Sequence, residues 1–217
     1  MRMFIFRIMS LLFGLSLFAL GIVITIKANI GYAPWDVFHA GLAHTLGISI
    51  GLASIITGVV MIAIVTLAGE KIGLGTIANI VVIGLLIDLI IFLGFIPTGA
   101  SLIYGIVTLL IGLFIVSIGS FFYIKSGFGA GPRDNLMVVL NKKTKLPVGI
   151  CRSIVELSAI LIGWLLGGMV GVGTVISAIA IGFFIQMTFA MFKFKVSEVK
   201  HETIVQTYKS LREISKK

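Results

Sequence analysis

Displaced by 98 residues, the chain matches itself without a gap. Gly14, Gly21, Gly31, Gly51, Gly69, Gly73, Gly75 and Gly84 fall on Gly112, Gly119, Gly129, Gly149, Gly167, Gly171, Gly173 and Gly182. That is eight of the 11 glycines in the window 8–88. Chance at this glycine content gives roughly one or two, so we read the match as an internal duplication. Lys27, Pro34, Asp36 and Thr76 recur as Lys125, Pro132, Asp134 and Thr174. Gly-Tyr-Ala-Pro-Trp-Asp (31–36) answers Gly-Ala-Gly-Pro-Arg-Asp (129–134), and Gly-Leu-Gly-Thr (73–76) answers Gly-Val-Gly-Thr (171–174).

What is duplicated is apolar. Hydrophobic residues make up 59% of the chain and charged residues 12%, against about 45–50% and about 25% in soluble domains. Six stretches, near 5–26, 48–68, 73–95, 102–124, 148–168 and 171–192, reach the roughly 20 residues that a bilayer crossing needs. The spacing predicts an all-α polytopic membrane protein: a first repeat over 1–98, a second over 99–192 and a basic tail over 193–217. Two short segments, near 34–46 and 132–143, look helical but cannot cross. Three spans per repeat is an odd number, so the second copy is expected to enter the membrane upside down. Inverted repeats of this kind recur among secondary transporters.

The net charge of +9 would suggest nucleic acid in a soluble protein. Here the cations collect at the N-terminus, in the 125–147 loop and in the tail, which is the asymmetry of cytoplasmic membrane loops. The expected partner is therefore the lipid bilayer, with no nucleic acid, and both termini are expected in the cytoplasm. The tail reads as a basic amphipathic helix lying on the inner leaflet. Cys151 is the single cysteine, which excludes a disulfide framework. No nucleophile-plus-base set, phosphate loop or zinc motif appears, so neither an enzyme nor a bound cofactor or metal is expected. Oligomeric state cannot be read from these features.

Function is sought where polarity interrupts the apolar runs. In 31–36 and 127–134, a proline suits the first helical position and an aspartate falls in the first turn, near free N–H groups and the positive helix end. Two readings are open. Both segments are re-entrant and build one central site, or both are interfacial helices with self-capping aspartates and a Trp35 anchor. Ionisable residues inside spans are costly and need a reason. Asp88 and its repeat mate Gln186 are expected to approach each other across the axis. Arg152 and Glu156, four apart, are expected to pair. The candidate substrate-binding residues are thus Trp35, Asp36, Asp88, Arg133, Asp134, Arg152, Glu156 and Gln186. His39 and His44 have poor spacing for metal ligation.

Gly-Tyr-Ala-Pro-Trp-Asp-Val-Phe (31–38), Gly-Leu-Gly-Thr-Ile-Ala-Asn (73–79), Asp88 and Gly-Ala-Gly-Pro-Arg-Asp-Asn-Leu-Met (129–137) resemble the YczE-type bacterial integral membrane proteins, related to the wider YitT group. The resemblance covers essentially the whole chain. It implies a small multi-pass protein of the bacterial inner membrane and agrees with transport or export, but it supplies no catalytic residues. The expectation is a secondary transporter or exporter of a small organic solute. The alternatives are a non-transporting scaffold or regulatory partner, and the substrate-binding subunit of an ATPase-driven transporter.

Overall fold

The computed structural model describes residues 2–195, 198–199 and 201–215. Among these, nine α-helices and no strand are found: α1 (Arg2–Lys27), α2 (Pro34–Leu46), α3 (Ile50–Leu67), α4 (Leu74–Leu93), α5 (Leu102–Lys125), α6 (Pro132–Thr144), α7 (Val148–Leu165), α8 (Val172–Met191) and α9 (Ile204–Ser215). Helices α1, α3, α4, α5, α7 and α8 are long and apolar enough to cross a membrane, so the six expected spans are present. The two short segments are helical, as α2 and α6.

The 98-residue offset extends to the backbone. Added to the bounds of α2, α3 and α4, it gives those of α6, α7 and α8. Left-handed backbone recurs with it: Asn29 with Gly127, Gly31 with Gly129, Gly47 with Lys145, Gly69 with Gly167. Lys145 shows how strongly this turn is imposed. It ends α6 at φ 60 where Gly47 ends α2 at φ 66, although the left-handed region costs a residue with a Cβ about 1–2 kcal/mol. The starts of α4 and α8 follow one rule: Thr76 and Thr174 accept from the amides of Gly73 and Gly171, satisfying a donor that the helix leaves free.

Contacts between the halves are reciprocal. Helices α1 and α5 pack antiparallel along their length, Gly14 against Gly119 and Gly21 against Gly112. A Cβ at any of these four would meet backbone, so glycine sets the close approach, as small residues do between membrane helices. The Gly75 amide donates to the Phe128 carbonyl at 2.7 Å, and the Gly173 amide to the Ile30 carbonyl at 2.7 Å. Phe128 and Ile30 are themselves 98 apart. Helix α2 rests on α7 as α6 rests on α3, and α4 on α1 as α8 on α5.

One pair of helices breaks the pattern. Helix α3 packs on α4, whereas α7 and α8 have no comparable packing. The core lies around α1, with Leu15, Val23, Ile87 and Phe128 almost fully buried.

The tail is shorter as a helix than the sequence suggests, because α9 begins only at Ile204. The residues before it are docked. Arg7 donates to the Ser126 carbonyl and pairs with Glu202. The Glu202 and Ile204 amides donate to the carbonyls of Gly127 and Ile72. These bonds tie the start of α9 to the ends of α1 and α5 and to the segment before α4.

Candidate functional site

A cavity of about 320 Å³ lies where the two halves meet. Its lining draws matched positions from both: Trp35 and Arg133, Asp36 and Asp134, Thr25 and Tyr123, Asn79 and Ser177. The first turns of α2 and α6 enter it together. The Arg133 guanidinium carbon sits 5.1 Å from the centre of the Trp35 ring, a cation–π distance. Two residues at equivalent places thus touch, and the starts of α2 and α6 share one site. They do not lie on separate surfaces, although Asp134 also reaches back to the backbone of Gly131 at the start of its own helix. Trp35 faces Arg133 and is no simple interfacial anchor.

The polar groups here are unevenly satisfied. Asp36 is 4% exposed, and its Oδ1 has no hydrogen-bond partner. The nearest cationic candidate, His39 Nδ1, stands 3.8 Å away, beyond hydrogen-bond reach. Tyr123 OH and Ser177 Oγ are also buried without a partner. Among the described residues these are the only buried side-chain polar atoms in that condition, and all three residues line this cavity. Each unsatisfied group costs about 1–3 kcal/mol, and folded chains rarely leave three together without something to fill the gap. Asp134 is exposed to the cavity and approaches the Gly131 backbone. Arg152 and Glu156 also line it and satisfy each other at 2.9 Å, the expected pairing.

Two candidates lie elsewhere. Asp88 accepts from the Ser49 hydroxyl and, at 2.8 Å, from the Gly51 amide. It therefore closes the start of α3, where free amides and the helix dipole favour a carboxylate. Gln186 is exposed on α8. Neither lines the cavity, and the expected approach of Asp88 to Gln186 across the axis does not occur, because α3 has taken the carboxylate. His39 lines the cavity, while His44 packs on Gly167. Among the described residues no group of three His, Cys, Asp or Glu could hold a metal ion.

Tyr123 and Ser177 escape a reading by charge, since neither is ionised. Their signal was present nonetheless: each is polar inside an apolar run, and its counterpart 98 residues earlier, Thr25 or Asn79, is polar too.

Six apolar helices around a largely apolar cavity that holds a few polar side chains define a polytopic integral membrane protein. The chain belongs to the family of unknown function DUF6198, whose model matches residues 5–189, and so to the YczE-type bacterial membrane proteins. It is 35% identical over 180 residues to the uncharacterized membrane protein YczE of Bacillus subtilis (strain 168), covering 81% of each chain. An uncharacterized protein of Haemophilus influenzae is 35% identical over 176 residues, 81% of this chain and 80% of that one. The uncharacterized protein YyaS of Bacillus subtilis (strain 168) is 26% identical over 168 residues, 76% of this chain and 83% of that one. No solved structure matches.

Proposed function

We propose that the protein is a secondary transporter of a small organic solute in the bacterial inner membrane, with its site in the cavity between two inverted repeats. The observation that carries this reading is the gathering of every partnerless buried polar side chain among the described residues on one cavity. Matched helix bounds, reciprocal contacts and two broken segments meeting at their N-terminal ends support the repeat. Irregular backbone at membrane depth is tolerated where it lines such a cavity, and paired broken helices at a repeat interface are a transporter's usual binding site. A volume of about 320 Å³ is at the lower end for ligand pockets, which suits a metabolite and not a macromolecule.

With both termini cytoplasmic, as the lysine distribution favours, α3 and α4 meet at the outer face. The gap between α7 and α8 then opens inward, and the form described is the inward-facing one.

The full chain, purified and reconstituted in liposomes, tests this. The liposomes are loaded with a bacterial small-molecule extract, and efflux is followed by mass spectrometry. Wild type should release a defined solute, and Asp36→Asn should not. No release above empty liposomes, with reproducible co-purification of an ATPase or an enzyme, replaces this reading with one of the non-transporting roles.

A further inference from the structure

We infer that the solute is a small zwitterion carrying both a carboxylate and an amino group, an inference that rests on the transporter reading above. The charges in the cavity separate into those already spent and those still free. Arg152 is bonded through its Nε to one oxygen of Glu156, so the two charges offset each other within the cavity. Arg133 is different. No described residue hydrogen-bonds its guanidinium, which lines the cavity with one face on Trp35. Stacking leaves the edge of the guanidinium available, and that edge is a rigid fork of donors matched to a carboxylate.

Two carboxylates face the same space, with His39 3.8 Å from Asp36 and the Gly131 backbone beside Asp134. Asp36 keeps an oxygen without a partner although it is 4% exposed, and Asp134 is open to the cavity. Neither stands within ion-pair distance of Arg133; the pairs within that distance in this cavity are His39 with Asp36 and Arg152 with Glu156. An ammonium group supplies N–H donors and the positive charge that two carboxylates call for.

Simpler ligands leave part of this unmatched. A dicarboxylate would satisfy Arg133 but bring its second charge against Asp36 and Asp134, where like charges repel. A plain amine would satisfy the carboxylates but leave the partly buried fork of Arg133 empty. Only a molecule with both ends fills both, with Tyr123 OH and Ser177 Oγ free for the rest of its polar surface. Discrimination by buried groups that would otherwise go unpaired is the strongest form of small-molecule selectivity.

The test uses the reconstituted full chain and three matched probe sets: the common amino acids, their methyl esters and their N-acetyl derivatives. Exchange should favour at least one free amino acid over its ester and its N-acetyl form by about tenfold or more, as when one charge-assisted contact is lost. Arg133→Gln should erase the preference over the ester, Arg133→Lys should restore part of it, and Asp134→Asn should erase the preference over the N-acetyl form. Size-exclusion profiles identical to wild type show that the variants fold. Equal or better exchange of an ester or N-acetyl derivative overturns the zwitterion. So does release from the bacterial extract of only singly signed solutes, while the transporter reading survives. If nothing is exchanged from either the probes or the extract, both fall.

Discussion

The seam between α3 and α4 and the seam between α7 and α8 occupy equivalent positions of the two repeats, yet they stand in different states. In the first, Gly51 lies against Gly84 and Asp88 holds Ser49 and Gly51. In the second, Gly149 and Gly182 have nothing within 4 Å of where a Cβ would stand, and Gln186 is exposed. The cavity follows the open seam. Ile185 lines it, whereas Ile87, its counterpart on α4, is 1% exposed and sits in the core. One device, present twice, is zipped once. Tightly packed interfaces tend to be bistable and not continuously deformable, so under the proposed transport the two seams stand for the two ends of one movement.

The strongest way to break this comparison is to force the open seam shut. Gly149→Cys with Gly182→Cys, in a Cys151→Ala background, should form a disulfide under oxidation, although the two positions stand apart in the form described. A disulfide needs Cα atoms within about 7 Å, so its formation requires α7 to reach α8 as α3 reaches α4. Solute exchange should stop on oxidation and return with reductant. If no cross-link ever forms, or the cross-linked protein exchanges normally, the open seam is a fixed feature of the fold.

The next largest effect separates the four glycines. At Gly51 a methyl group would strike the Gly84 carbonyl and Asp88, and at Gly84 it would strike Ile55 and the Gly51 carbonyl. Overpacking of this kind costs about 1–3 kcal/mol, so Gly51→Ala and Gly84→Ala should melt clearly below wild type in detergent. Gly149→Ala and Gly182→Ala face open space and should stay within about 0.5 kcal/mol. Yet both should slow exchange, because the methyl group obstructs the zipped state. Equal melting of all four variants would show that the two seams do not differ as described.

The residues that made the architecture legible are the ones that hid its state. Gly51 and Gly149, or Gly84 and Gly182, are matched glycines in the sequence, so periodicity reveals the repeat and is silent about which copy is closed. The six spans were readable because a bilayer imposes length and apolarity on each separately. The meeting of Trp35 with Arg133 was readable only in outline: Pro and Asp mark where α2 and α6 begin, but where they point depends on packing against α7 and α3. Asp88 misled for a physical reason. A carboxylate inside an apolar run signals only that something must satisfy it, and the start of a neighbouring helix does so as well as a substrate. Ser49 and Gly51, 39 and 37 residues away, carry no local mark of that role.

The smallest effect sharpens the comparison at its chemical centre. The closed seam has a hydroxyl, an amide and a carboxylate. The open seam has Pro147 in place of Ser49 and Gln186 in place of Asp88, so it lacks both the hydroxyl and the charge. The closed seam should therefore be the harder one to part. Asp88→Asn keeps an acceptor for the Gly51 amide and, with Ser49 turning to accept, a second neutral bond, while it removes the charge that strengthens both. We expect a loss of about 1 kcal/mol and faster labelling of a cysteine at Ser54, which lines the cavity, by a membrane-impermeant maleimide added from outside. Gln186→Ala, on an exposed side chain, should change neither stability nor outside labelling. If Asp88→Asn labels at the wild-type rate, the carboxylate merely ends a helix, and what holds the closed seam is the contact of Gly51 with Gly84.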